Sequence, residues 1–230
     1  MLNRKKWGLS LFLLLFASEL FKNPAIDKPE KWKYRSSEGG KWNIMTDSSK
    51  YITRNGKGFL IITSVPEDKK YVTTMTLEPD TLKPISIKID GETETVFEAK
   101  YRGNMAVINL FRGPKNIRNK KILLAPVTYD QRTLFWLLRG YPFDKPKELE
   151  IDLIMPLGNR CSMKVRYLGT EIISVPAGKF IAHKLEVEPN AILPMFSEKL
   201  RTYFWYSREK IPKFLKYSYP TKNESAELMK

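Results

Sequence analysis

Ile85-Ser86-Ile87-Lys88-Ile89-Asp90-Gly91 decides the fold class: three isoleucines alternate with polar residues, and the run stops at an Asp-Gly turn signal. A period of two sends successive side chains to opposite faces of a pleated strand, so this segment reads as a strand with one face buried and one wet. The same alternation recurs in Phe97, Ala99 and Tyr101, in Cys161, Met163, Val165 and Tyr167, and in Leu215, Tyr217 and Tyr219. Turn signals lie between such runs at Asn55-Gly56, Asp90-Gly91, Arg102-Gly103-Asn104, Leu168-Gly169 and Ala177-Gly178. Short connections of this kind join antiparallel neighbours, and a long sheet built from them must curl with its own twist. The expected fold is mainly β, a curved antiparallel sheet or partly open β-barrel. It occupies residues 42–221 as a single domain, and residues 222–230 read as a C-terminal tail.

One segment breaks the period. Thr128-Tyr129-Asp130-Gln131 has the spacing of a capping box and predicts one short helix over about 128–139. That helix would run through Leu134-Phe135-Trp136-Leu137-Leu138 and end near Gly140, with Pro142 preventing continuation. Five consecutive apolar residues cover most of a helix circumference, so the helix should pack against the sheet as a core plug or as a lid over a hollow. Residues 112–121, RGPKNIRNKK, read as a basic loop just before it.

The amino terminus carries an address. Arg4, Lys5 and Lys6 precede an apolar stretch from Trp7 to Ala17, the layout of a secretory signal peptide, so residues 1–18 read as a signal or, if uncleaved, an inner-membrane anchor. Ala17 suits the last position before a cut, whereas Leu15 is larger than the small residue usual there. No Cys follows the apolar stretch, which argues against a lipidated terminus. Residues 19–41, with Pro24, Pro29, Gly39 and Gly40 among charges, read as an extended tail. The expectation is an exported, periplasmic protein of the cell envelope.

Composition narrows the chemistry. The 230 residues are 42% hydrophobic and carry 40 Lys and Arg against 25 Asp and Glu, a formal charge of +15 that favours neutral or anionic partners. One Cys and one His exclude an internal disulfide and any His/Cys metal cluster, so no metal or cofactor is expected. His183 lies on the same strand face as Ile181, Leu185 and Val187, where it reads either as a satisfied core residue or as a hydrogen-bonding group in a hollow. Without a second group to orient it, it forms no catalytic constellation. Cys161 needs no role beyond that of a small hydrophobe. The pairs Glu92/Glu94, Glu148/Glu150/Asp152 and Glu186/Glu188 have strand spacing and read as solvated carboxylates on wet faces. The chain is therefore not expected to be an enzyme.

Basic and aromatic residues interleave in Lys31-Trp32-Lys33-Tyr34-Arg35 and through Arg201-Thr202-Tyr203-Phe204-Trp205-Tyr206-Ser207-Arg208. Such patterns suit stacking on single-stranded nucleic acid, but an export signal makes nucleic acid an improbable partner and turns attention to lipid headgroups and membrane surfaces.

Asp80-Thr81-Leu82 with Pro84, Tyr129-Asp130 with Thr133-Leu134 and Leu138-Arg139, Pro176-Ala177-Gly178-Lys179-Phe180, and Trp205 followed by Ile211-Pro212 occur in that order. On these residues the chain resembles an exported bacterial family known as domain of unknown function 3108, over about Trp42 to Tyr219. The resemblance implies a periplasmic antiparallel β protein and brings no catalytic residue. The general shape is similar to the incomplete barrels of bacterial lipoprotein carriers, an analogy of fold alone.

A curled sheet of about eight to thirteen strands leaves room for an acyl chain, with Met75, Met105, Met155, Met163 and Met195 as adaptable lining. The expected function is binding or carrying a hydrophobic lipid-like ligand, neutral or anionic. Phe135, Trp136, Leu137, His183 and Trp205 would border the hollow, and Arg112, Lys115, Arg118, Lys120, Lys121 and Arg201 would face an anionic headgroup or surface. The alternative is an envelope structural or interaction protein with a filled barrel and a basic face that docks on an anionic partner protein.

Overall fold

The computed structural model describes residues 20–190 and 199–230, so the expected signal over residues 1–18, and Met195, lie outside the described residues. In the first half of the chain, strands β1 (Glu30–Glu38), β2 (Lys41–Arg54), β3 (Lys57–Pro66) and β4 (Val72–Leu77) lead into β5 (Pro84–Asp90), β6 (Thr95–Arg102), β7 (Met105–Arg112) and β8 (Lys115–Leu123). After a short β9 (Thr128–Asp130), the helical segment with α1 (Leu134–Leu137) crosses to the second half. There lie β10 (Leu149–Ile154), β11 (Arg160–Val175), β12 (Gly178–Pro189), β13 (Thr202–Ser207), β14 (Phe214–Tyr219) and β15 (Glu224–Leu228).

All fifteen described strands form one sheet in the order β8-β7-β6-β5-β4-β3-β2-β1-β15-β14-β13-β12-β11-β10-β9. Two meanders run outward from the centre, where the first and last strands pair through Tyr34↔Leu228 and Ser36↔Ala226. This corrects both tails. Residues 30–38 and 224–228 are the strands that join the halves, and Gly39-Gly40 is the β1–β2 hairpin turn, with φ of 55° and 82° that only glycine adopts readily. Ahead of β1, Phe21 and Ile26 are buried in the core, and Lys22 N donates to Gly140 O at 3.2 Å. That approach needs a glycine, because a Cβ on Gly140 would fall 2.5 Å from Lys22 O.

The inward face is built in rows. Ile62, Met75, Ile87, Ala99 and Ile108 stand opposite one another across β3 to β7 and are all buried. Full burial of such a side chain stabilises the fold by about 1.5–3 kcal/mol. The alternation around Ile87 therefore marks the core face.

Three local expectations change. Leu168-Gly169 is no turn but a bulge inside the sixteen-residue β11, where Gly169 takes φ of 103° and the register with β12 shifts. Thr128 is no helix cap: residues 128–130 are held extended as β9, parallel to β10, and the Thr128 hydroxyl accepts from Ala125 N at 2.9 Å. The cap is Asp130, whose carboxylate accepts from Arg132 N, and the helical run is a 3-10 turn at Gln131–Thr133, α1, and a second 3-10 turn at Leu138–Gly140. Finally, residues 112–121 are no loop; most of them belong to β8, the edge strand.

The sheet is open, since β8 and β9 do not pair. Side chains bridge the gap. Register with β7 puts Arg118 and Lys120 opposite Leu110 and Ile108 on the inward face, from which Arg118 donates to Leu157 O at 3.3 Å and Lys120 to Asn159 Oδ1 at 2.9 Å. Arg160 returns a bond to Leu123 O at 3.3 Å. Lysines along an exposed edge also discourage the addition of foreign strands.

Candidate functional site

The helical segment lies against the inward face and divides the interior. Leu137 and Leu138 are fully buried and Trp136 nearly so, which makes one side of the segment a core plug. Phe135 points the other way. Its ring meets Phe214 at 4.7 Å, Tyr217 at 5.4 Å and Phe204 at 5.7 Å, and its carbonyl accepts from Tyr206 Oη at 3.0 Å.

Beside Phe135 a cleft of about 440 Å³ remains between the segment and the centre of the sheet. Its apolar part is Met45, Met75, Ile89, Phe135, Phe214 and Tyr217. Its polar part follows from register: Asp47, Ser64 and Thr73 are cross-strand partners on β2, β3 and β4, forming a polar row beside the buried row of Ile62 and Met75. Tyr34, Ser36, Ser37, Glu38, Arg132, Glu224, Ser225 and Ala226 complete the lining.

The electrostatics of the cleft are not those of the whole chain. Arg132 lies 3.1 Å from Asp130 and stacks over Phe97 at 3.8 Å, so its charge is matched locally. Asp130 also accepts from Tyr101 Oη at 2.5 Å, and burial together with the adjacent carboxylate holds that phenol far above its ordinary pKa. Glu38, Asp47 and Glu224 then leave an acidic lining. Burial raises the Asp47 pKa against the pull of hydrogen bonds from Ser64 and Trp136. An anionic group is disfavoured here; hydroxyls and amides are not.

Each expected site residue can now be placed. Phe135 borders the cleft; Trp136 and Leu137 are core, because the plug turns them toward packed side chains. His183 faces inward but lines a separate cavity, with Phe143 stacked on its ring at 4.2 Å and Tyr167 Oη 3.0 Å from Nδ1. Burial first, and the Arg208 charge second, lower its pKa. Trp205 is on the outward face, since the strand period that turns Phe204 and Tyr206 inward turns Trp205 out. Its indole donates to Glu171 at 2.5 Å, and Lys184 and Lys216 lie over its ring at 5.1 and 5.8 Å.

None of the six expected cations lines the cleft. Arg118 and Lys120 bridge the sheet edges, while Arg112, Lys115 and Lys121 are exposed on the β7–β8 hairpin. Arg201 is on the outward face, 2.8 Å from Glu188. That contact corrects another expectation, because Glu186 and Glu188 are only 5% and 6% exposed, covered and neutralised by Arg166 and Arg201 rather than solvated. Lys31-Trp32-Lys33-Tyr34-Arg35 is ordinary strand alternation, with Tyr34 buried and the cations exposed. Sequence reasoning missed Met45, Asp47, Ser64 and Thr73, whose signal, polar residues at inward positions, emerges only from register.

A family model described as "Protein of unknown function (DUF3108)" matches residues 40–228. No curated protein matches the chain. Among solved structures, the chain is similar to a beta-barrel-like protein of domain of unknown function DUF1849 from Brucella abortus, at 8% identity and a TM-score of 0.48, covering 90% of this chain and 98% of that one. It is also similar to a protein of YmcC-like fold from Bacteroides fragilis, for which export has been suggested, at 10% identity and a TM-score of 0.37, covering 91% and 97% of the two chains.

Thr133 and Arg139 of the sequence motifs serve the plug, and Leu82 of another motif is a core residue. Thr133 Oγ1 donates to Asp130 O at 2.8 Å, and Leu82 is fully buried. Arg139 donates from Nε to Pro212 O at 2.6 Å.

Proposed function

We propose, for a chain that belongs to the DUF3108 family of proteins of unknown function, that it is an exported binding protein whose cleft beside Phe135 holds a hydrophobic, lipid-like ligand with an uncharged, hydroxyl-bearing polar end. The observation that carries this reading is the meeting of the Asp47-Ser64-Thr73 row with the apolar row and the Phe135 cluster across one cleft of about 440 Å³. Its size is in the range of about 300–1,000 Å³ common to small-molecule sites, and a mostly apolar wall with a few convergent polar groups is their usual chemistry. The acidic lining favours an uncharged polar end over the anionic one that net charge alone suggests. The basic stretch before an apolar run at Arg4, Lys5 and Lys6 supports export. A role in binding rather than catalysis is supported by His183, whose ring and hydrogen-bond partners among the described residues are Phe143 and Tyr167 rather than an orienting carboxylate.

Titration with a fluorescent monoacylglycerol tests the reading. Saturable binding at one site per chain is expected, weakened roughly tenfold by Thr73→Trp, which fills the cleft from β4, with the melting temperature unchanged. Absence of saturable binding would remove the carrier reading and leave the filled-barrel interaction protein.

A further inference from the structure

The cavity that contains His183 has about 640 Å³ and shares no lining residue with the cleft. Its apolar wall comes from Leu20, Pro24, Phe143 and Pro212, and its mouth carries Lys145, Lys147 and Lys210. The first two lysines stand on a fixed turn. Tyr141 Oη donates to Lys147 O at 2.5 Å and accepts from Lys147 N at 3.0 Å, and Lys145 N donates to Pro142 O at 3.1 Å.

Nearby carboxylates do not neutralise these cations. Among the described residues, Lys145, Lys147 and Lys210 form no ion pair, whereas Glu209 at the same mouth is paired with Lys213 at 2.8 Å. Arg139 in the wall is held by Glu30. Asp144 is the remaining acid of the lining. His183 presents an imidazole whose single hydrogen bond among the described residues is through Nδ1. Lysines and the apolar side chains of Leu20, Pro24, Phe143 and Pro212 thus line one cavity, a pattern suited to a ligand with a charged end and an apolar body.

We propose that this cavity is a second binding site, for an anionic amphiphile: a carboxylate or phosphate monoester at Lys145, Lys147 and Lys210, with its apolar tail against Phe143, Pro24 and Leu20. The site is independent of the cleft and selects the opposite headgroup chemistry. A dispersed single-chain amphiphile and a bilayer lipid carry the same anionic end, and the two sources are separated by experiment.

The chain contains one His, so the imidazole signals of the untagged full chain report on this cavity without assignment by mutation. Dodecyl phosphate should shift the His183 resonances saturably and raise the imidazole pKa, because an anion nearby favours the cation. The triple variant K145E/K147E/K210E, altered only at exposed side chains, should bind roughly tenfold more weakly or worse with unchanged thermal unfolding. Thr73→Trp should leave the response intact, which separates failure here from failure of the cleft. Dodecanol and inorganic phosphate, each lacking one half of the ligand, should leave His183 unmoved. Vesicles of phosphatidylglycerol that displace dodecyl phosphate identify a bilayer source, and vesicles that do not displace it identify a dispersed one. An unmoved His183 with dodecyl phosphate, an equal response in the triple variant, or an equal response to dodecanol would overturn the proposal.

Discussion

Arg139 and Glu30, 109 residues apart, meet in a bidentate ion pair, with Nη1 2.6 Å from Oε2 and Nη2 3.0 Å from Oε1. The pair fastens the end of the plug to the start of β1, and the guanidinium also lies 4.8 Å over the Trp136 ring. Arg139 is only 3% exposed, so removing its partner strands a buried charge. Glu30→Ala should cost about 3 kcal/mol, read as a lower urea midpoint with an unchanged slope. A loss below about 0.5 kcal/mol, the scale of an exposed pair, would show that the plug is held by packing alone.

Glu171 is tied to Trp205 across the outward face, and that bond, ahead of the charge of Lys184, keeps its carboxyl below the ordinary value of 4.5. A depressed folded pKa means that the unfolded chain takes up the proton first. The contribution is therefore present above about pH 4.5 and disappears as pH falls through the folded value. Carbonyl-detected NMR should find Glu171 titrating low in the native chain and moving upward in Trp205→Phe. No movement would separate the two side chains in solution.

His183 should titrate below 6.5, since burial is the first cause of its shift and Arg208 the second. The neutral ring is the folded form, so this group stabilises the fold above about pH 6.5 and ceases to do so as pH drops through the lower folded value. Arg208→Gln should restore part of the shift and leave the larger part in place. Complete restoration would assign the shift to charge instead of burial.

Part of this architecture can be read from alternation alone. Ile85, Ile87 and Ile89 announce their strand because aliphatic and polar residues differ most in hydropathy. β1 hides because its alternation is of aromatic against basic side chains, as in Trp32 and Tyr34 between Lys31, Lys33 and Arg35, and because Gly39-Gly40 resembles tail punctuation as much as a hairpin. β15 is five residues long and gains its meaning from pairing with β1. The crowding of apolar residues around a short helix points to Phe135, Trp136 and Leu137 alike, and only the packing of the plug distinguishes Phe135, which lines the cleft, from the other two. Asp47, Ser64 and Thr73 were not legible, because facing one another is a property of register between strands, and no single strand encodes it. Trp205 was misplaced for the complementary reason: a strand with Phe204, Trp205 and Tyr206 in succession has no polar side to tell inside from out.

Native mass spectrometry of the chain purified from cells without detergent tests the cleft most directly. The wild-type protein should carry a bound uncharged amphiphile, and Thr73→Trp, folded to the same melting temperature, should lack that uncharged adduct. Absence of an uncharged adduct from both proteins, before and after incubation with monoacylglycerol, would contradict a ligand-holding hollow beside Phe135.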